Sequence, residues 1–218
     1  MCGRFANHLE DMGDWLDVLD DWPQDAVRGF NIAPSQTIPA FTPDGGQGMR
    51  WGLIPGWSQQ PDSRFATFNA RLESAHSKPS FRDAWQRSQR CLIPTLGYFE
   101  WRQESGRKQP YFIRAADQQP LVLAGLYEPA HDGQPASCSI LTTEARSDLV
   151  DIHPRMPVFV PQHAVDDLFG VAPDELLALI DDWKQIEIER RRVGTQVNRV
   201  DAEGEQLIAD EDQQELPF

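Results

Sequence analysis

Residues 90–127 read RCLIPTLGYFEWRQESGRKQPYFIRAADQQPLVLAGLY. Three runs in this stretch, 90–101, 110–115 and 121–127, are apolar, aromatic and β-branched and of strand length. Gly, Pro and charged turns separate them, which is the pattern of neighbouring strands. CSILTT at 138–143 and PVFV at 157–160 have the same character. Upstream, NIAPSQTIPAFT at 31–42 reads as extended, because its two prolines bias their predecessors away from helix. PDGGQG at 43–48 is turn chemistry, and MRWGLIPGW at 49–57 reads as strand then turn. Helical signals are fewer. Leu9, Met12, Trp15, Leu16 and Leu19 recur at helical spacing over 8–22. Residues 80–87 form a short helix with Ser80 as N-cap. Helices are also expected over 164–169 and 173–192, the second opened by Pro173 and Asp174, with a last strand at 195–200. Many strands and few helices predict an α+β single domain, built on a curved, barrel-like mixed β-sheet.

The chain has 218 residues, the size of one compact unit able to bury a full core. Hydrophobic residues make up 40% and charged residues 25%, as in ordinary soluble domains. No apolar run approaches the roughly 20 residues needed to cross a bilayer. The start, MCGRFANHLEDMGDW, has no apolar stretch of the signal-peptide kind, so no membrane partner is expected. Cys2, Cys91 and Cys138 are odd in number and widely spaced, which is no disulfide framework and points to a reducing cytoplasm. No CxxC or other metal-ligand spacing occurs, and PDGGQG lacks the lysine of a phosphate loop, so neither metal nor cofactor is expected.

The net charge of −14 at first argues against a nucleic-acid partner. Its distribution changes that reading. Residues 9–25 carry seven acids and no Lys or Arg, and 201–218 carry seven more with no base. Removing these 14 from the 34 acids leaves 20, against 20 bases. Residues 50–108 hold ten bases and five acids. Screening over about 8–10 Å lets such a patch act apart from distant acids, so either an anion site or a solvated mixed-charge face fits.

Cys2 offers unusual chemistry if Met1 is removed, and cysteine is small enough for methionine aminopeptidase to do so. The mature chain would then begin with a 1,2-aminothiol. Its α-amine, with a reference pKa of about 7.7–8.0, is partly neutral and nucleophilic at physiological pH. It can attack an aldehyde to give a Schiff base, and the adjacent thiol can close a five-membered thiazolidine. The competing reading is an unprocessed end with Cys2 packed as a small hydrophobe.

MCGRF, NIAPSQ, WGLIPGW, FNARLE (68–73), GYFEW (97–101) and IHPRMPV (152–158) occur in that order, and VNRVDAEGEQLI closes the pattern. Together they resemble the SOS-response-associated peptidase (SRAP) family, the abasic-site processing proteins. The resemblance assigns 1–209 to one SRAP domain and leaves 210–218 as an acidic tail. It implies a covalent crosslink between Cys2 and the ring-opened aldehyde of an abasic site in single-stranded DNA. It also implies an abasic-site lyase side activity, self-processing of the terminus, and a place in the DNA damage response. Such a protein is expected as a cytoplasmic monomer that joins the nucleoid when engaged with DNA.

The family's nucleophile falls on Cys2 and its asparagine on Asn69, which by itself reads equally as a turn residue. A neutral amide can hold an amine without shifting its charge greatly. The family's arginine falls on Arg71. An extended segment would put 69, 71 and 73 on one face, with Glu73 buttressing Arg71 for a bidentate grip on phosphate. The family's essential glutamate falls on Glu100, whose flanking Phe99 and Trp101 favour a raised pKa and general acid–base work. Local sequence alone equally allows an exposed glutamate between buried aromatics. The family's histidine falls on His153, titratable near neutrality but by itself as readily structural. Arg4 and Arg155 are candidate phosphate contacts. Trp51, Trp57 and Trp101 are candidates for stacking on bases or for the core. Asn31 is expected to fix its loop through the backbone, and Cys91 and Cys138 to be inert core.

Two other functions fit the same residues. In an N-terminal-nucleophile amidohydrolase the Cys2 thiolate would attack an amide with its own amine as base. In a non-catalytic single-strand-binding module, the basic middle segment and the tryptophans would suffice.

Overall fold

The computed structural model describes residues 2–8, 15, 17–19, 21–61 and 66–211, apart from the side chains of 184 and 185. Strand β1 (Phe5–Ala6) is followed by the antiparallel hairpin of β2 (Thr37–Thr42) and β3 (Gly45–Trp51). Only residues 43–44 turn. The glycines of PDGGQG continue as strand because β2 holds them in register, from Thr42↔Gly45 to Pro39↔Gly48. Strand β4 (Asn69–Arg71) runs directly into helix α1 (Leu72–Ala75), and α2 (Arg82–Gln86) follows. Phe81, not Ser80, stands at the N-cap of α2.

The run 90–101 does not form one strand. It breaks at Leu96 into β5 (Arg90–Thr95) and β6 (Gly97–Glu104), which join different sheets. Thr95 makes the corner. Its hydroxyl lies 2.6 Å from the Ala6 carbonyl and accepts the Gly97 amide at 3.0 Å. Glycine is required at 97, since a Cβ there would sit 2.5 Å from the Ile113 carbonyl oxygen. Strands β7 (Arg107–Ala115), β8 (Leu121–Glu128), β9 (Ser137–Glu144) and β10 (Arg155–Pro157) come next. Helices α3 (Val165–Gly170) and α4 (Pro173–Leu179) precede β11 (Ile188–Arg192).

The long helix expected over 173–192 thus ends at Leu179, and IERRR becomes an edge strand against β7. The open side of β7 offers ladder hydrogen bonds that an isolated, highly charged helical turn lacks. Residues 195–198 form a 3-10 turn rather than a strand. The helix expected over 8–22 lies largely outside the described residues, though Trp15 and Leu19 are buried. The acidic tail from 212 lies outside them as well.

One sheet has the order β1-β6-β7-β11. The other runs β10-β9-β3-β2-β5-β8, with β4 pairing β9 and β8 also pairing β9, antiparallel from Gly125↔Ile140 to Glu128↔Ser137. It is mixed, since β3 and β4 lie parallel to β9. The single barrel-like sheet is corrected. The strands divide between two sheets, and the larger is not closed into a barrel. β2 meets β5 through one pair, Phe41↔Leu92, and β3 meets β9 through two, Arg50↔Ser137 and Trp51↔Cys138. A barrel needs a continuous staggered ladder around its girth. Cys2 sits in the apolar cluster with Phe5, Trp51, Tyr98 and Ile152, where elements of both sheets meet.

Candidate active site

The N-terminal strand is held from both sides. Phe5 pairs with Tyr98 and Ala6 with Gly97. Phe5 also exchanges amide hydrogen bonds with Ile32, at 3.1 and 2.8 Å. The Phe99 amide donates to the Arg4 carbonyl at 2.9 Å, which carries the pairing toward Cys2. Cys2 is fully buried. Asn69, at the start of β4, donates its Nδ2–H to the Cys2 carbonyl at 2.6 Å. That bond fixes the amide's orientation. It leaves Asn69 Oδ1 buried and without a partner among the described residues. Burial pushes the Cys2 thiol far above the usual range, and the charge of Glu100 pushes it further.

Glu100 stands two residues after Tyr98, on the same face of β6. It is 5% exposed, and its Oε1 accepts the Trp101 amide at 3.3 Å. The Tyr98 phenol is also pushed up, first by burial, then by Cys2 and Glu100. Cys2, Tyr98 and Glu100 therefore form one electrostatic neighbourhood. Glu100 opens into a cleft of about 720 Å³, shared with Phe68, Trp101, Ile152, His153 and Asn198. His153 Nδ1 lies 3.0 Å from the Arg155 amide and 3.1 Å from the Arg155 carbonyl oxygen, so the backbone of Arg155 holds the ring in place. Trp101 is half-buried, and its indole N–H donates to Asn198 Oδ1 at 2.7 Å.

A second cleft, of about 450 Å³, includes Trp57, Thr67, Asn69, Arg71 and Phe81. Trp57 is 58% exposed and ties its indole N–H to the Pro79 carbonyl at 3.2 Å. Arg71 is exposed. Phe68 lines the first cleft and its neighbours Thr67 and Asn69 the second, so the two adjoin across the segment that holds Cys2.

Three expected phosphate or base contacts are engaged elsewhere. The guanidinium of Arg155 makes a bidentate pair with Glu73, at 2.9 and 2.8 Å, and donates to the Thr142 carbonyl at 2.6 Å. Glu73 does not buttress Arg71, because the chain turns helical at Leu72 and aims Glu73 at β10. Arg4 is half-buried, and its Nη1 donates to Asn31 Oδ1 at 2.7 Å and the Val197 carbonyl at 2.8 Å. Asn31 in turn donates to the carbonyls of Arg199 and Ala202, at 2.9 and 2.7 Å, fixing its loop to the closing segment. Trp51 is fully buried and packs on Phe5, with its indole N–H on the Phe68 carbonyl at 2.8 Å. It is core, out of reach of a base. Cys91 and Cys138 are fully buried. Among the described residues no group of three His, Cys, Asp or Glu side chains could hold a metal.

Tyr98 and Asn198 were not singled out in the sequence. Both lie inside quoted motifs, GYFEW and VNRVDAEGEQLI, and motif membership was the available signal.

Residues 1–200 match the family model described as SOS response associated peptidase (SRAP). The abasic site processing protein YoaM of Bacillus subtilis is 34% identical over 212 residues, covering 91% of this chain and 93% of its own. The abasic site processing protein YedK of Escherichia coli is 33% identical over 186 residues, covering 75% and 77%. A crystal structure of a Bordetella bronchiseptica protein superposes with a TM-score of 0.76 at 25% identity, covering 88% of this chain and all of that one. On these grounds the chain belongs to the SOS response associated peptidase (SRAP) family.

Proposed function

We propose that this protein senses and processes abasic sites in single-stranded DNA, capturing them covalently through Cys2. The observation that carries the reading is the clamp on Cys2: Asn69 grips its carbonyl, and the Glu100 carboxylate acts on its thiol beside an open cleft. Hydrolytic removal of Met1 by an aminopeptidase frees the α-amine. The buried, unpartnered Asn69 Oδ1 is an acceptor of the kind such an amine would use.

The amine adds to the C1′ aldehyde of the ring-opened sugar, forming a C–N bond while the carbonyl oxygen takes a proton. Glu100 is the proton carrier. Loss of water gives the imine. The thiol then adds across C=N, its sulfur bonding to carbon and its proton going to nitrogen, which closes the thiazolidine. No oxidant or metal takes part in these steps. Before ring closure, the imine acidifies the adjacent sugar carbon, and β-elimination from it would cleave the strand. His153 lines the same cleft, and its role in this reading is to move protons in ring opening and in reversal.

The high thiol pKa favours this order over the amidohydrolase reading. A thiolate that must attack first is disfavoured at Cys2, whereas here the thiol acts last, on an imine already bound. The test is crosslinking to uracil-excised single-stranded DNA, with intact mass spectrometry to show whether Met1 is gone. Cys2→Ser is expected to keep a borohydride-trappable imine and lose the stable ring. A Cys2→Ala protein that forms the same stable crosslink without borohydride refutes closure by the thiol.

A further inference from the structure

The chain carries a large acidic excess, and most of its arginines are paired with acids. At least ten, Arg102, Arg155 and Arg192 among them, lie within salt-bridge distance of an acid. Against that background, cations left without an acid partner stand out. Lys78 and Lys108 are exposed and make no salt bridge among the described residues. Each lines one of the two clefts. Lys78 stands with Arg71, Trp57 and Asn69 in the smaller one, and Lys108 with Glu100, Trp101 and His153 in the larger.

We propose that Lys78 and Lys108 are phosphate anchors on opposite sides of the capture site, drawing one single strand through both clefts past Cys2. The proposal rests on the reading of this protein as a binder of single-stranded DNA. Its physical basis is counterion release. An unpaired ammonium at a cleft wall can replace a cation condensed on the phosphate backbone, whereas a guanidinium already held by a carboxylate has little charge left to offer. The position of Lys108 follows from the β6–β7 hairpin, where it lies opposite Gln103, another residue of the larger cleft. The position of Lys78 follows from the turn after α1, where its amide donates to the Ser74 carbonyl at 3.1 Å. Neither lysine reaches into the core, so substitution should leave the fold intact.

The test is fluorescence anisotropy of an undamaged single-stranded oligonucleotide across a salt series, with thermal unfolding as the control for folding. Lys78→Gln and Lys108→Gln should each weaken binding about threefold to tenfold. Each should also lower the slope of log affinity against log salt by about 0.7, and the double variant by about twice that. Lys→Arg at either position should restore both. Arg107 is exposed and adjacent to Lys108 in sequence but lines neither cleft, and Arg107→Gln should bind like the parent protein. Slopes unchanged in both glutamine variants, or an equal loss in Arg107→Gln, would overturn the anchors. The covalent chemistry is tested separately. Normal salt-dependent binding with no crosslink to an abasic strand would refute the role of Cys2 and leave the lysines standing. Crosslinking with a slope indifferent to both lysines would do the reverse.

Discussion

Replacing Asn69 by alanine removes the 2.6 Å hydrogen bond to the Cys2 carbonyl. The carbonyl is buried with the rest of Cys2, so it is left unpaired away from water. An unsatisfied buried acceptor costs about 1–3 kcal/mol. If that cost falls on holding the terminus in its reactive position, capture slows roughly 5- to 150-fold at saturating DNA, since about 1.4 kcal/mol is tenfold in rate. The assay is borohydride trapping of an abasic oligonucleotide over time, with protein in excess. Asn69→Asp is the sharper comparison. It is nearly isosteric, yet an ionised carboxylate cannot donate and turns its charge on the carbonyl, so its loss should equal or exceed that of alanine. Thermal unfolding separates positioning from collapse. If the same energy appears as lost stability, a chain of this size drops by about 2–4 °C per kcal/mol. An Asn69→Ala protein that captures at the parent rate with unchanged stability refutes the clamp.

Gly97→Ala should destabilise by about 1–3 kcal/mol, because the new methyl meets the Ile113 backbone at 2.5 Å and β6 must move off β7; denaturant unfolding reads this directly. Trp51→Ala should cost about 3–5 kcal/mol as a fully buried residue, whereas the exposed Trp57→Ala should change stability by less than about 0.5 kcal/mol and weaken single-strand binding instead. Stability should fall in acid. Burial alone would raise the Glu73 carboxyl, but the Arg155 hydrogen bonds and charge outweigh it and hold it low; the Arg146 hydrogen bond holds Asp148 low. Both contributions are fully present above the unfolded carboxylate values near pH 4 and are lost as pH falls through the lower folded ones. Thermal unfolding across pH 3–6 checks this, and Glu73→Gln should flatten part of the fall.

The strands were largely legible as strands, because strand-length apolar runs between turn residues leave few alternatives. Which sheet each would join was not. The run 90–101 is continuous in character, and only the Thr95 hydroxyl and the bare Gly97 reveal where it turns from one sheet to the other. IERRR looked like the end of a helix because local pattern cannot show that β7 has an edge to fill. At the site, Asn69, Glu100 and Cys2 were marked by motif and are found together. Arg155 and Arg4 were marked in the same way, yet acids and carbonyls distant in sequence had claimed them.

By itself the sequence determined that strands dominate, that the middle of an acidic chain is locally basic, and which side chains have chemistry to offer. Those are properties of composition and short-range order. The tertiary structure decided which of those groups remain available. A charge stays usable only if folding brings no opposite charge beside it, and a nucleophile is poised only by neighbours such as Asn69, which lies 67 positions along the chain from Cys2. Both depend on long-range contacts that no local pattern encodes.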